Sequence, residues 1–215
     1  MDKKRFFVGL IVFGSMWGFS ECIVGSRIAD TGLPSGAIMT GLFAMVFLVM
    51  SRMIFQQRGM QIGMGLVAGG LRLFNPFGGC HLCSALAIMA EGFIFELIMY
   101  YAGSIDLAKF RSLTYSASLG IFSAYCIYVG GYIVTQILTP LSFGSFYLVN
   151  FVSALPQMLA GGVIPALMGG VVVPILVLLP KMDISIRDKL YYPTAIGVST
   201  FCWVFVVGNW FLYIM

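Results

Sequence analysis

The sequence predicts an all-α membrane protein: a polytopic bundle of about seven transmembrane helices (six to seven), built as one transmembrane helical domain over residues 1–215. Three observations carry that class. Apolar residues make up 60% of the chain and charged residues 9%, where a soluble domain carries about a quarter charged, so lipid is the solvent. Apolar stretches recur at about the 20-residue length that a bilayer span needs. The basic residues fall almost entirely on alternate connections between those stretches.

In chain order the candidate spans are residues 6–26, 34–55, 59–74, 82–102, 113–138, 155–179 and 194–214. The first follows a basic start, "MDKKRFFVGLIVFGSMWGFSEC", which has the charged and apolar regions of a signal peptide but no A-x-A-like cleavage site. It reads as a retained first helix. The second opens after Leu33-Pro34, and the third is short and leads through a loop into the fourth. Pro34, Pro76, Pro140, Pro156, Pro180 and Pro193 all fall near span boundaries, as helix breakers should.

With the N-terminus cytoplasmic, seven spans put ten basic residues inside: Lys3, Lys4, Arg5, Arg52, Arg58, Lys109, Arg111, Lys181, Arg187 and Lys189. Only Arg27 and Arg72 fall outside. That bias supports the span count, a prokaryotic inner-membrane location and an extracytoplasmic C-terminus. The net charge of +4 is scattered through short loops, which suits anionic headgroups and excludes a nucleic-acid interface. No G-x-x-x-x-G-K-[ST] occurs, so the chain carries no phosphate-binding loop of its own.

Small residues recur four apart: Gly14 and Gly18 with Cys22 on nearly the same face, Gly65 and Gly69, then Gly162, Ala166 and Gly170. Such rows let helices approach closely where lipid supplies no hydrophobic drive. Internal packing is the simpler reading; docking on a partner subunit is the other. Cys126 and Cys202, deep in apolar runs, read as inert small hydrophobes.

The chemistry concentrates in "FNPFGGCHLCSALAIMAEGFIFELIM", Phe74 to Met99. It holds Asn75, the sole histidine His81 between Cys80 and Cys83, and two carboxylates, Glu91 and Glu96. The topology puts the loops Arg72–Cys83 and Arg27–Leu33 on one side, so Glu21 and Cys22 join Arg27, Asp30, Arg72, Cys80, His81 and Cys83 there. Glu91 lies nine residues into its span, about 13 Å deep by the helical rise. A carboxylate at that depth must be paired, protonated or facing a cavity, and is functional by default. Glu96, turned about 140° away, reads as a structural hydrogen-bonding residue. Gln157 starts the sixth span and is placed against the same cavity.

Three chemistries fit this set. Cys80, His81, Cys83, Glu21 and Cys22 are ligands for a transition-metal ion such as zinc, nickel or cobalt. The C-x-x-C pair can instead cycle between dithiol and disulfide. Or Glu21, Cys22, Asn75, His81, Glu91 and Gln157 hydrogen-bond an organic substrate. A structural pairing of Glu21 with Arg27 or Arg72 is the simpler alternative for that acid.

The segments "TGLPSGAIMTGLFAMVFLVM" and "LRLFNPFGGCHLCSALAIMAEGFIFEL", roughly residues 31–99, resemble the substrate-binding S components of energy-coupling-factor transporters, closest to the cobalt and nickel branch. There a Leu-Pro segment opens one helix and a Pro-Gly-Gly…His loop opens a small-residue-rich one; Pro76, Gly78, Gly79 and His81 match. The resemblance implies an ATP-free membrane subunit that captures a small molecule or metal ion at the extracytoplasmic face for uptake, and docks on a transmembrane coupling subunit driven by two ATPases. The metal branch begins Met-His, whose amino terminus and imidazole hold the ion, whereas this chain begins Met1-Asp2. Either sulfur and carboxylate replace that nitrogen, or the substrate is not a metal. Two other classes stand beside this one: a quinone-linked membrane thiol-disulfide oxidoreductase using Cys80-x-x-Cys83, and a non-catalytic assembly protein.

Overall fold

The computed structural model describes residues 3–74, 81–101, 112–142, 148–178 and 188–214. Asn75 and Cys80 lie outside the described residues, as do Pro76 and Pro180. Among the described residues every regular element is a helix. Helix α1 (Lys3–Phe19) continues through a π-helical turn, Ser20–Val24, into α2 (Gly25–Asp30), one rod of 28 residues. A turn through Gly32, whose φ of +75° suits glycine, leads to Pro34 at the N-cap of α3 (Ser35–Ile38). A second π turn, Met39–Ala44, joins α3 to α4 (Met45–Ile54). Then follow α5 (Met60–Arg72), α6 (His81–Tyr101), α7 (Leu113–Ser142), α8 (Leu148–Gly161), α9 (Val163–Leu178) and α10 (Asp188–Ile214).

Among the described residues six stretches are long and apolar enough to cross a membrane: Lys3–Asp30, Ser35–Ile54, His81–Tyr100, Leu113–Leu138, Phe151–Leu178 and Leu190–Leu212. The expected third span falls short of that test. Its 13 residues rise about 20 Å, against about 30 Å of hydrocarbon. It nevertheless takes the place expected of it in the order. Gly63, Gly14 and Gly18 bring α5 alongside α1 in the same direction, through Leu10, Met64, Val67, Ala68 and Leu71. Gly69 meets Ala85 and Gly92 meets Gln61, so α5 lies antiparallel to α6. Within α5 only Leu66 is exposed. A helix wrapped by its neighbours needs no lipid-spanning length of its own.

Proline placement differs from expectation too. Pro140, Pro156 and Pro193 sit inside α7, α8 and α10, and Pro174 inside α9. Membrane helices tolerate this because neighbours and local adjustments satisfy the freed carbonyl.

The core gathers Trp17, Met45, Leu48, Met60, Met64 and Phe95, all fully buried. Glycine rows build the interfaces. A Cβ on Gly120 would collide with the Gly169 carbonyl oxygen, so α7 and α9 touch backbone to backbone. At one end of the bundle Glu96 closes the start of α5. Its carboxylate accepts from the main-chain N–H of Gly59, a residue at φ +88°, and from that of Ile62 at 3.1 Å. The Arg52 guanidinium donates to the Tyr100 hydroxyl there and lies over its ring, 3.9 Å from the centroid. Helix α10 is peripheral, packing mainly on α1, where Trp203 Nε1 donates to Ser15 Oγ at 3.1 Å.

Candidate functional site

At the opposite end the helices part around a cavity of about 500 Å³. Its mouth lies at the turn after the first rod, where Ala29, Asp30 and Gly36 are exposed. Its floor is Thr40, Ile88 and Glu91, all buried. Helix α6 contributes Ser84, Ala87, Ile88 and Glu91, one stripe at i, i+3, i+4, i+7. Seven residues from Ser84 to Glu91 place that carboxyl about 10 Å below the serine.

Both π turns face this space. The first carries Glu21 and the second Met39 and Thr40. A π turn inserts a residue into the helical ladder and is frequent at functional sites; here it turns Glu21 and Thr40 inward from rods whose other faces pack against neighbours.

The hydrogen bonds at the site are partly spent. Trp17 Nε1 donates to Glu21 Oε1 at 3.3 Å. Arg72 Nε donates to Ser84 Oγ at 2.7 Å and its Nη1 to the Glu21 carbonyl at 3.4 Å, tying α1, α5 and α6 together. Thr40 Oγ1 donates to Glu91 Oε1 at 2.8 Å. Glu91 is only 7% exposed, and its other carboxyl oxygen, Oε2, is buried with no hydrogen-bond partner. Buried polar groups are ordinarily paired, and an orphan calls for an explanation. Gly131 of α7 lets the carboxyl lie against bare backbone: a Cβ there would be 3.2 Å from Oε1. The Glu91 carboxyl lies within electrostatic reach of Glu21, and Glu21 within reach of Arg72. Beyond them α7 supplies Tyr128, Tyr132 and Thr135, the two rings 5.9 Å apart.

No family model, curated protein or solved structure matches this chain. The site therefore rests on its own geometry.

Of the residues singled out in the sequence, Glu21 and Glu91 line one cavity, with Arg72 and Asp30. Glu21 meets Arg72 through its main-chain oxygen, while Arg27 reaches Asp30 at 4.0 Å in an exposed i, i+3 pair. The others fall elsewhere. Cys22 is buried on the α5-facing side, its Sγ donating to the Leu71 carbonyl at 3.8 Å, in a small cluster with Leu71 and Val206. One residue turns a helix by about 100°, so Cys22 continues the Gly14–Gly18 row and Glu21 faces the opening. Cys83 is buried, disulfide-bonded and off the cavity lining. His81, half-buried, opens α6 one turn before Ser84 and is not among the lining residues. Gln157 is exposed on α8 rather than lining the cavity. Among the described residues no three of His, Cys, Asp and Glu stand close enough to hold a metal ion. Cys22, Cys126 and Cys202 are free thiols.

Thr40, Ser84, Tyr128, Tyr132 and Trp17 were not legible as site residues. Only the i, i+4 spacing of Tyr128 and Tyr132, flanking Gly131, hinted at a shared face.

Proposed function

We propose that this chain is the membrane-embedded substrate-binding subunit of an uptake transporter, S component-like, which captures a small organic molecule at the extracytoplasmic face. One observation carries the reading: a cavity of about 500 Å³, open at one end of the bundle, descends to a buried carboxyl with an unpartnered oxygen. Ligand pockets span roughly 300–1,000 Å³, and an acid deep in a membrane bundle marks a substrate path by default. An organic substrate suits this space better than a metal ion, because the sulfur of Cys83 is engaged in a disulfide and the carboxyls share the cavity with aromatic rings. With no phosphate-binding loop in the sequence, the energy for uptake comes from partners, such as a transmembrane coupling subunit with ATPases, or from a gradient.

The disulfide at Cys83 also favours the oxidoreductase reading. That chemistry needs a relay thiol; among the described residues the free thiols are Cys22, hydrogen-bonded to the Leu71 carbonyl, and Cys126 and Cys202 on α7 and α10.

The capture side is tested by an Ala29→Cys variant at the cavity mouth, labelled on intact cells with a membrane-impermeant maleimide. Labelling from outside is the expected result. Labelling of the introduced thiol only in inside-out vesicles would overturn extracytoplasmic capture.

A further inference from the structure

We propose that the cavity takes a small organic cation, a protonated amine or amidinium, whose N–H donates to Glu91 Oε2 while its body lies against Tyr128 and Tyr132. The inference rests on the substrate-binding reading and adds the ligand's chemical class.

Charge points first to a cation. Among the described residues the lining holds three acids, Glu21, Asp30 and Glu91, and one base, Arg72. Asp30 pairs with Arg27 at the mouth, and Arg72 offsets Glu21, within whose electrostatic reach it lies. Glu91 is left with no cationic partner in the lining. An isolated carboxylate out of water is costly unless paired, and a ligand with one positive charge supplies the pairing.

Hydrogen bonding points the same way. Three hydroxyl protons in the lining are committed: Ser26 Oγ donates to the Ile23 carbonyl at 2.9 Å, Thr40 to Glu91, and Thr135 Oγ1 to the Tyr132 carbonyl at 2.7 Å. The hydroxyls of Ser35, Ser84, Tyr128 and Tyr132 line the space as well and can accept from a ligand. At the floor Glu91 Oε2 is buried with no hydrogen-bond partner among the described residues, and a ligand N–H that reaches this carboxyl supplies one.

The walls set its size. The Tyr128 and Tyr132 rings, 5.9 Å apart and inclined by 34°, offer faces to which a cation is attracted within about 6 Å. The volume is far larger than a bare ion requires, so the charge sits on an organic body.

The test uses three phenols of similar size whose side-chain ends differ in charge: tyramine (cationic), 4-propylphenol (neutral, a methyl in place of the ammonium) and 3-(4-hydroxyphenyl)propionate (anionic). Each is titrated into the purified full-length protein in nanodiscs by calorimetry, with tryptophan fluorescence as a second readout, since Trp17 donates to Glu21 beside the cavity. Tyramine is expected to bind at least about tenfold more tightly than either of the others, equivalent to about 1.4 kcal/mol. Glu91→Gln, which keeps the shape and an oxygen for Thr40, should erase that preference. Tyr132→Leu, which leaves both carboxyls in place, should weaken tyramine several-fold and cover the case in which the Glu91→Gln protein does not fold.

Preferential binding of 4-propylphenol would mean that Glu91 is a neutral donor; preferential binding of the propionate would mean that Arg72 governs the site. Either overturns the cation assignment and leaves the substrate-binding reading standing. Binding of none of the three overturns the assignment as well; labelling of the Ala29→Cys variant only in inside-out vesicles would instead overturn extracytoplasmic capture, so the two failures are distinguishable.

Discussion

Replacing Glu96 with alanine tests how the start of α5, the helix that carries Arg72 to the cavity, is held against α6. Its carboxylate, on a side chain 6% exposed, receives the main-chain N–H groups of Gly59 and Ile62 at the start of α5. Hydrogen bonds to charged groups contribute about 1.5–3 kcal/mol each, and buried donors left without acceptors cost a similar amount. Losing both bonds in Glu96→Ala should therefore destabilise the protein by about 3 kcal/mol. At roughly 2–4 °C per kcal/mol for a chain of this size, the midpoint should fall by about 6–12 °C. Glu96→Gln keeps one carbonyl oxygen and sets an NH₂ against the other donor, so it should lose about half as much. Thermal unfolding of the detergent-solubilised protein, followed by circular dichroism, measures both. A Glu96→Ala protein within about 0.5 kcal/mol of its parent, the ordinary range for a surface change, would refute the capping role.

Two further expectations concern packing and sulfur. Gly120→Ala drives a Cβ into the Gly169 oxygen, with backbone on both sides, and should cost about 1–3 kcal/mol by overpacking, read as a lower thermal midpoint. Gly208→Ala, whose Cβ meets nothing within 4 Å, is the matched control and should be neutral or slightly stabilising. In the unfolded, unreduced protein, maleimide followed by peptide mass spectrometry should label Cys22, Cys126 and Cys202 and reach Cys83 only after reduction. Labelling of Cys83 before reduction would contradict the disulfide.

Several site residues were readable without coordinates because the bilayer makes charge expensive. Glu91 stood out by depth alone, and the topology of the loops put Glu21, Asp30 and Arg72 at one end. The misplacements share one cause, which is rotation about a helix axis. Cys22 and Cys83 are adjacent in sequence to cavity residues Glu21 and Ser84, yet point elsewhere. The four-residue spacing from Gly14 and Gly18 did carry Cys22 onto the α5-facing side, where it meets Leu71, and so away from the opening that Glu21 faces. Gln157 was aligned by its place near a boundary, but the helix begins earlier, at Leu148, and turns that side chain outward.

Composition and the spacing of apolar runs were sufficient for the class of protein and the order of its helices, because a bilayer permits few backbone solutions and each needs a run of characteristic length. Which faces meet was a separate matter. Packing between apolar surfaces in lipid is decided by contacts of small residues and single hydrogen bonds, such as Gly131 admitting the Glu91 carboxyl and Thr40 holding one of its oxygens. Tertiary structure alone brought Tyr128 and Tyr132, 37 and 41 residues beyond Glu91 in the sequence, to the cavity that Glu91 lines.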